Sequence, residues 1–122
     1  MNQITKEIAE KMIHAIDDKL GKDTMMIDIS QISSVADIFI ITTADSERQT
    51  KAIADNIRKN LEEINMIPLH KEGYNDGKWI LLDCGDLVVH ILHQNERQFY
   101  NIEGIWKDGN IIDIDNTFNR NI

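Results

Sequence analysis

The side chains able to do chemistry are few in this sequence, and their spacing groups them poorly. His90 and His93 lie three apart, a few residues beyond Asp83 and Asp86. A metal needs several such groups converging on one point. Side chains alternate along a strand, so His90 and His93 diverge unless the strand ends between them. Asp83 and Asp86 flank a predicted turn, where aspartate caps local backbone donors. Cys84 is the single cysteine. It rules out an internal disulfide and a multi-thiolate zinc site, and its spacing to His90 or His93 fits no working thiolate pair. Ser46 reads as a helix cap, and Ser33 and Ser34 offer no better nucleophile. Neither GxGxxG nor GxxxxGK[ST] occurs, so no phosphate cradle is present. Asp113-Ile114-Asp115 is a D-x-D in a polar tail and reads as solubilising charge. No catalytic residue, metal or cofactor is expected.

Charge narrows the partners. The 122 residues carry 13 Lys+Arg against 21 Asp+Glu, a net charge of -8 and a pI near 4.8. Gripping phosphates needs clustered cations, and this average field repels them, so direct binding of free nucleic acid is not expected. Arg48, Lys51, Arg58 and Lys59 interleave with Glu47, Asp55, Glu62 and Glu63, the pattern of a solvated helix face. What remains is aromatic. Tyr74, Trp79, Phe99, Tyr100 and Trp106 crowd into the second half of the chain. Phe99 and Trp106 share a helical stripe with Ile102 and read as core. Trp79 fits core or interface equally well, because it shares one strand face with Leu81 while Ile80 and Leu82 take the other.

The elements that must hold these residues follow from periodicity. Ile8, Met12, Ile16 and Leu20 recur every fourth residue, widened by Ile4 and Ile13, and predict a first helix ended by Gly21. Met25 to Ile29 alternates as a strand. Asp37 to Thr42 is apolar on both faces and predicts a central strand. Ser46 to Gln49 fits a capping box opening a second helix, with Ile53, Ile57, Leu61 and Ile64 as its stripe and Pro68 beyond its end. Pro68 to Glu72 predicts a short strand and Gly73 to Gly77 a turn. Trp79 to Leu82 and Leu87 to Leu92, split by Asp83-Cys84-Gly85-Asp86, predict a hairpin. Asn95 with Gln98 predicts a cap on a last helix reaching Trp106. Residues 1–110 form one domain in this reading, and 111–122 a loosely held polar tail. The class is α/β: a mixed sheet with helices packed on it. No run approaches the ~20 apolar residues of a membrane helix. Lys6, Glu7, Glu10 and Lys11 leave no signal-peptide core. A soluble cytoplasmic protein is expected.

Several strings occur together in an order with a precedent. Glu72-Gly73 is followed by Trp79-Ile80-Leu81-Leu82-Asp83-Cys84-Gly85-Asp86-Leu87-Val88-Val89-His90, in the pattern W-x-L-x-D-x-G-D-x-x-x-H. Arg97-Gln98-Phe99-Tyr100-Asn101-Ile102-Glu103 then matches R-x-(F/Y)-Y-x-L-E, with Ile102 at the usual Leu. Upstream, Asp37 to Thr42 matches D-(Y/F)-F-(V/I)-I-x-T with Ile38 in place of the aromatic, and Ser46 to Ala54 matches S-x-R-Q-x-x-A-I-A. Together these strings resemble the ribosomal silencing factor, or Iojap-like, family over roughly residues 4 to 108.

The resemblance implies a nucleotidyltransferase-like topology without its active site, because the Gly-Ser and paired-Asp metal motif is missing. It implies binding to the large ribosomal subunit through its protein fourteen, a block to joining with the small subunit, and repression of translation under nutrient limitation. It implies self-association of the free protein. The partner-contacting positions it implies are Trp79, His90, Arg97, Tyr100 and Glu103, followed by Glu72 and Asp86. From the residues alone, Asp86 also reads as turn-shaping, Glu72 as solvated and His90 as a hydrogen-bonded sheet residue. Two other classes are an enzyme using Asp83 or Asp86 with a metal, and a homodimeric interaction module.

Overall fold

The computed structural model describes residues 1–120, with Glu103 and Ile105 described through their backbone only. Its elements run α1 (Gln3–Asp18), β1 (Lys22–Asp28), β2 (Ile38–Ala44), α2 (Glu47–Glu62), β3 (His70–Glu72), β4 (Trp79–Asp83), β5 (Leu87–His93), α3 (Gln94–Tyr100), α4 (Ile102–Ile105), β6 (Asn110–Ile112) and α5 (Ile114–Thr117). The strands form one six-stranded mixed sheet in the order β3-β4-β5-β2-β1-β6. Only β2 and β5 pair in parallel, joined by the crossover that contains α2; the other neighbours are antiparallel.

The all-apolar β2 is central and buried along its whole length, as its two-sided pattern requires. One sheet face packs against α1 and α2. There Met12, Ile16, Ile53, Ile57 and Leu61 meet Met26, Ile40, Ile80, Val89 and Ile91. The other face packs a second cluster of Ile27, Ile29, Phe39, Ile41, Val88 and Leu92 beneath Ile102 and Trp106.

Local chemistry sets the boundaries. Ser46 Oγ accepts from Gln49 N–H at 3.0 Å, the expected cap of α2. The Gln49 carbonyl oxygen accepts from Asp45 N–H rather than from Ser46, at 2.8 Å. Its amide nitrogen donates to the carbonyls of Lys19 and Leu20, so one side chain ties the start of α2 to the end of α1. The left-handed residue ending α1 is Leu20 (φ 62°), not Gly21. Gly21 N–H donates back to Ile16 O at 3.0 Å. Glycine is needed there for close approach, because a Cβ would meet the side chains of Ile16 and Thr42.

Five further expectations change. The segment assigned to a polar tail contains β6, which pairs with β1, and α5, whose Ile114 is buried in the main core. Arg120 closes it down through ion pairs to Asp17 and Asp115. Of that tail, residues 121 and 122 lie outside the described ones. The helix expected over Asn95 to Trp106 is two short helices, broken at Asn101, which takes a left-handed conformation (φ 45°). Its cap is His93, whose Nδ1 accepts from Asn95 N–H, not Asn95 itself. The break turns Phe99 out to 80% exposure, so Phe99 is surface and not core. Ile4, expected to widen the α1 stripe, is also exposed.

Candidate partner-binding site

The turn before β4 fixes where Trp79 emerges. Gly73 and Gly77 both have positive φ. Gly77 O accepts from the Thr50 hydroxyl at 2.6 Å, which anchors the turn on α2. From there β4 alternates. Ile80 and Leu82 enter the main core, while Trp79, Leu81 and Asp83 lie half-buried on the opposite face. Trp79 therefore splits its surface between the second cluster and solvent.

Register brings the other rings to it. His90 opposes Leu81 on β4 and Ile41 on β2, and Trp79 opposes Leu92. Trp79 and His90 are thus diagonal neighbours on one face, within reach for aromatic side chains. The Trp79 indole N–H donates to His90 Nδ1 at 3.1 Å. Phe39 meets His90 edge-on at 4.7 Å, and Trp106 meets Phe39 edge-on at 4.9 Å. On the outer side Tyr100 packs on Trp79 at 4.9 Å, and Phe99 meets Tyr100 at 5.0 Å. A ladder of rings therefore runs Trp106, Phe39, His90, Trp79, Tyr100, Phe99. Its inner rungs are core; its outer rungs are surface, with Tyr100 44% exposed.

Arg97 holds the outer rungs over the sheet. It is buried, and its Nη1 donates to Thr43 Oγ1 on β2 at 2.7 Å. His90 is 5% exposed, and burial lowers its pKa to about 4, so the ring is neutral at pH 7. Neither Arg97 nor His90 offers surface in this arrangement. His90 bonds the Trp79 indole, and Arg97 ties the helix that carries Tyr100 to β2.

The remaining expected positions divide. Glu72 is exposed on the edge strand β3, opposite Leu81, and pairs with His70 Nε2 at 3.0 Å, so it sits at the rim of the same face. Asp86 is exposed in the β4–β5 turn, at the far end of the hairpin from Trp79, and its carbonyl accepts from Asp37 and Ile38 N–H at 2.9 and 3.0 Å. It shapes the start of β2 and stands apart from the ladder. The Glu103 side chain lies outside the described residues. Phe39 and Thr43 join the site without having been singled out, and Phe99 joins it although its helical stripe reads as core. Asn101 carried the missing signal: asparagine tolerates positive φ, and ending the helix there removes Phe99 from the stripe.

A family model described as "Ribosomal silencing factor during starvation" matches residues 2–121. The chain belongs to this family. It is 38% identical over 120 residues to the ribosomal silencing factor RsfS of Bacillus subtilis, covering 98% of this chain and 100% of that one. It is 36% identical over 76 residues to chloroplastic Iojap of Zea mays, covering 62% of this chain and 33% of that protein. Two crystal structures share the fold. One, from Chromobacterium violaceum, has a TM-score of 0.80 at 38% identity and covers 83% of this chain and 84% of its own. The other, from Bacillus halodurans, has a TM-score of 0.80 at 34% identity and covers 93% and 100%.

Within this ribosomal silencing factor fold, the candidate catalytic groups are committed to structure. Asp83 Oδ1 accepts from Gly85 N–H at 2.9 Å and builds the hairpin turn. His93 caps α3. Burial, with Asp83 beside it, pushes the Cys84 thiol up to about 11, the reverse of an activated nucleophile. Among the described residues, no three His, Cys, Asp or Glu side chains gather to hold a metal ion. No described helix is long and apolar enough to cross a membrane.

Proposed function

We propose that this ribosomal silencing factor binds the large ribosomal subunit through its protein fourteen and stands in the way of the small subunit. The mechanism is steric and needs no turnover. Translation falls because the joined ribosome cannot form, in the cytoplasm, under nutrient limitation. The observation that supports this reading best is the outer end of the ring ladder. Trp79 on β4 and Tyr100 and Phe99 on α3 form a contiguous, partly exposed aromatic patch. Trp and Tyr dominate protein-interface hot spots, at ~2 kcal/mol or more each. The surrounding protein is acidic, with a net charge of -8. That charge steers it toward a basic ribosomal protein and away from bare rRNA phosphates.

A subunit-joining assay tests the reading. Purified protein is added to separated subunits and the joined fraction is measured. Loss of joining is expected with the native protein. Trp79→Ala is expected to weaken co-sedimentation with large subunits about thirtyfold, the equivalent of ~2 kcal/mol, while remaining folded. Undiminished joining at saturating native protein overturns the proposal.

A further inference from the structure

His90 occupies a place where an apolar side chain would suit the surroundings better. It is 5% exposed, its sheet neighbours across the strands are Leu81 and Ile41, and Phe39 lies against its ring. Its Nε2 has no hydrogen-bond partner among the described residues. A buried polar atom left unpaired disfavours the folded state, and such atoms are rare. The other nitrogen supplies the reason for a histidine here. Nδ1 accepts the indole N–H of Trp79 at 3.1 Å. An accepting Nδ1 bears no proton, so the neutral ring carries its proton on Nε2.

Trp79 needs such a partner. It is the first residue of β4 and half-buried, and an indole without a bonded partner samples more than one staggered well. The bond to His90 selects one of them, and in that one the ring lies 4.9 Å from Tyr100. We infer that His90 is a positioning residue, which fixes the Trp79 indole at the tilt that seats it on Tyr100, so that the aromatic patch is already formed in the free protein. It acts through Trp79 and does not touch the partner. The link to ribosome binding rests on the function proposed above; the fixed indole is a property of the free protein and stands by itself. Affinity gains from such preorganisation, because ordering the side chain no longer opposes binding.

The test separates the two. In the free native protein at pH 7, a long-range nitrogen–proton spectrum is expected to show His90 as the Nε2–H tautomer, with Nδ1 accepting. The indole N–H of Trp79 is expected to exchange slowly with solvent, with Trp106 as internal comparison. His90→Leu removes the acceptor and frees the indole; His90→Asn keeps a side-chain acceptor near the same place and retains the slow exchange. His90→Leu is expected to weaken large-subunit binding roughly three- to tenfold, the effect of ordering one side chain. In a Trp79→Ala background the same change is expected to add nothing.

An Nδ1–H tautomer, or a Trp79 indole that exchanges freely in the native protein, overturns the inference without any variant. So does a folded His90→Leu protein that binds as well as the native one, or loses binding equally without Trp79. If the native protein shows the slow indole but does not bind large subunits, the proposed function fails and the positioning of Trp79 by His90 stands.

Discussion

Arg97 reaches from α3 to the Thr43 hydroxyl on β2, 2.7 Å away, and joins the helix that carries Tyr100 to the central parallel strand pair. The guanidinium is buried, so the bond is charge-assisted and shielded from water. Bonds of this kind contribute more than neutral ones, and their loss leaves polar atoms stranded. Arg97→Ala is expected to lower folding stability by about 2 kcal/mol in urea denaturation and to loosen α3, so that Tyr100 no longer packs on Trp79. A variant as stable as the native protein, with Tyr100 still in place by NMR, contradicts this role.

Phe99 is the opposite case. At 80% exposure it contributes little to folding, while extending the patch one ring beyond Tyr100. Phe99→Ser is expected to change stability by no more than about 0.5 kcal/mol and to weaken large-subunit binding about tenfold. Thermal unfolding and co-sedimentation, measured on one preparation, check both halves. Equal binding removes Phe99 from the docking surface.

Much of the frame was legible in the sequence. The short two-sided apolar run at Ile38 to Ile41 suits a covered central strand, and the Gly-Asp gap between two apolar runs has one common solution, a hairpin. Trp79 facing away from Ile80 and Leu82 followed from alternation alone. What periodicity could not show depends on contacts distant in the chain. β6 is three residues long among Asp and Asn, and it exists because β1 offers an open edge for Ile111 and Ile112 to pair with. Asn101 breaks a helix that the stripe of Phe99, Ile102 and Trp106 would continue. The family resemblance implies His90 and Arg97 as contact residues, while the residues alone give His90 as a hydrogen-bonded sheet residue; the fold buries both.

The end of α1 offers a stability test with two signs. Leu20 holds φ 62°, a conformation costing an L-residue roughly 1–2 kcal/mol, and its side chain is 78% exposed. Leu20→Gly is expected to stabilise the protein by roughly 0.5 kcal/mol, after glycine's own entropy is set against that relief. Gly21→Ala is expected to destabilise by about 1–3 kcal/mol, because its Cβ would lie 2.8 Å from Thr42 Oγ1 and closer still to Ile16. Denaturant midpoints of the two variants, shifting in opposite directions, would show that glycine serves proximity here and not the turn.

Cys84 should be a slow thiol. With its pKa pushed up to about 11, little thiolate exists at pH 8. Alkylation by iodoacetamide is expected to run on the order of a hundredfold slower than for an unstructured cysteine peptide, and to reach the peptide rate once the protein is unfolded in urea. Rapid alkylation of the folded protein would reopen Cys84 as a reactive group.

The His90 ring also makes stability depend on pH, with a sign that can be worked out. In the unfolded chain it titrates near 6.5; in the fold burial lowers this to about 4. Above 6.5 both states hold a neutral ring, and the shift costs nothing. Between 6.5 and 4 the unfolded chain takes up a proton that the folded protein refuses, so stability falls as the pH falls. Over that window the loss from this one group is about 3 kcal/mol, and below 4 it adds no more. Urea denaturation of native and His90→Leu proteins at half-unit steps from pH 7.5 to 4 isolates it. The difference between their stabilities is expected to be flat above 6.5 and to slope by about 1.4 kcal/mol per pH unit near pH 5, with the native protein losing ground. Parallel curves would mean that His90 charges as readily in the fold as outside it, and that the ring is not held in the dry, indole-bonded state that seats Trp79 on Tyr100.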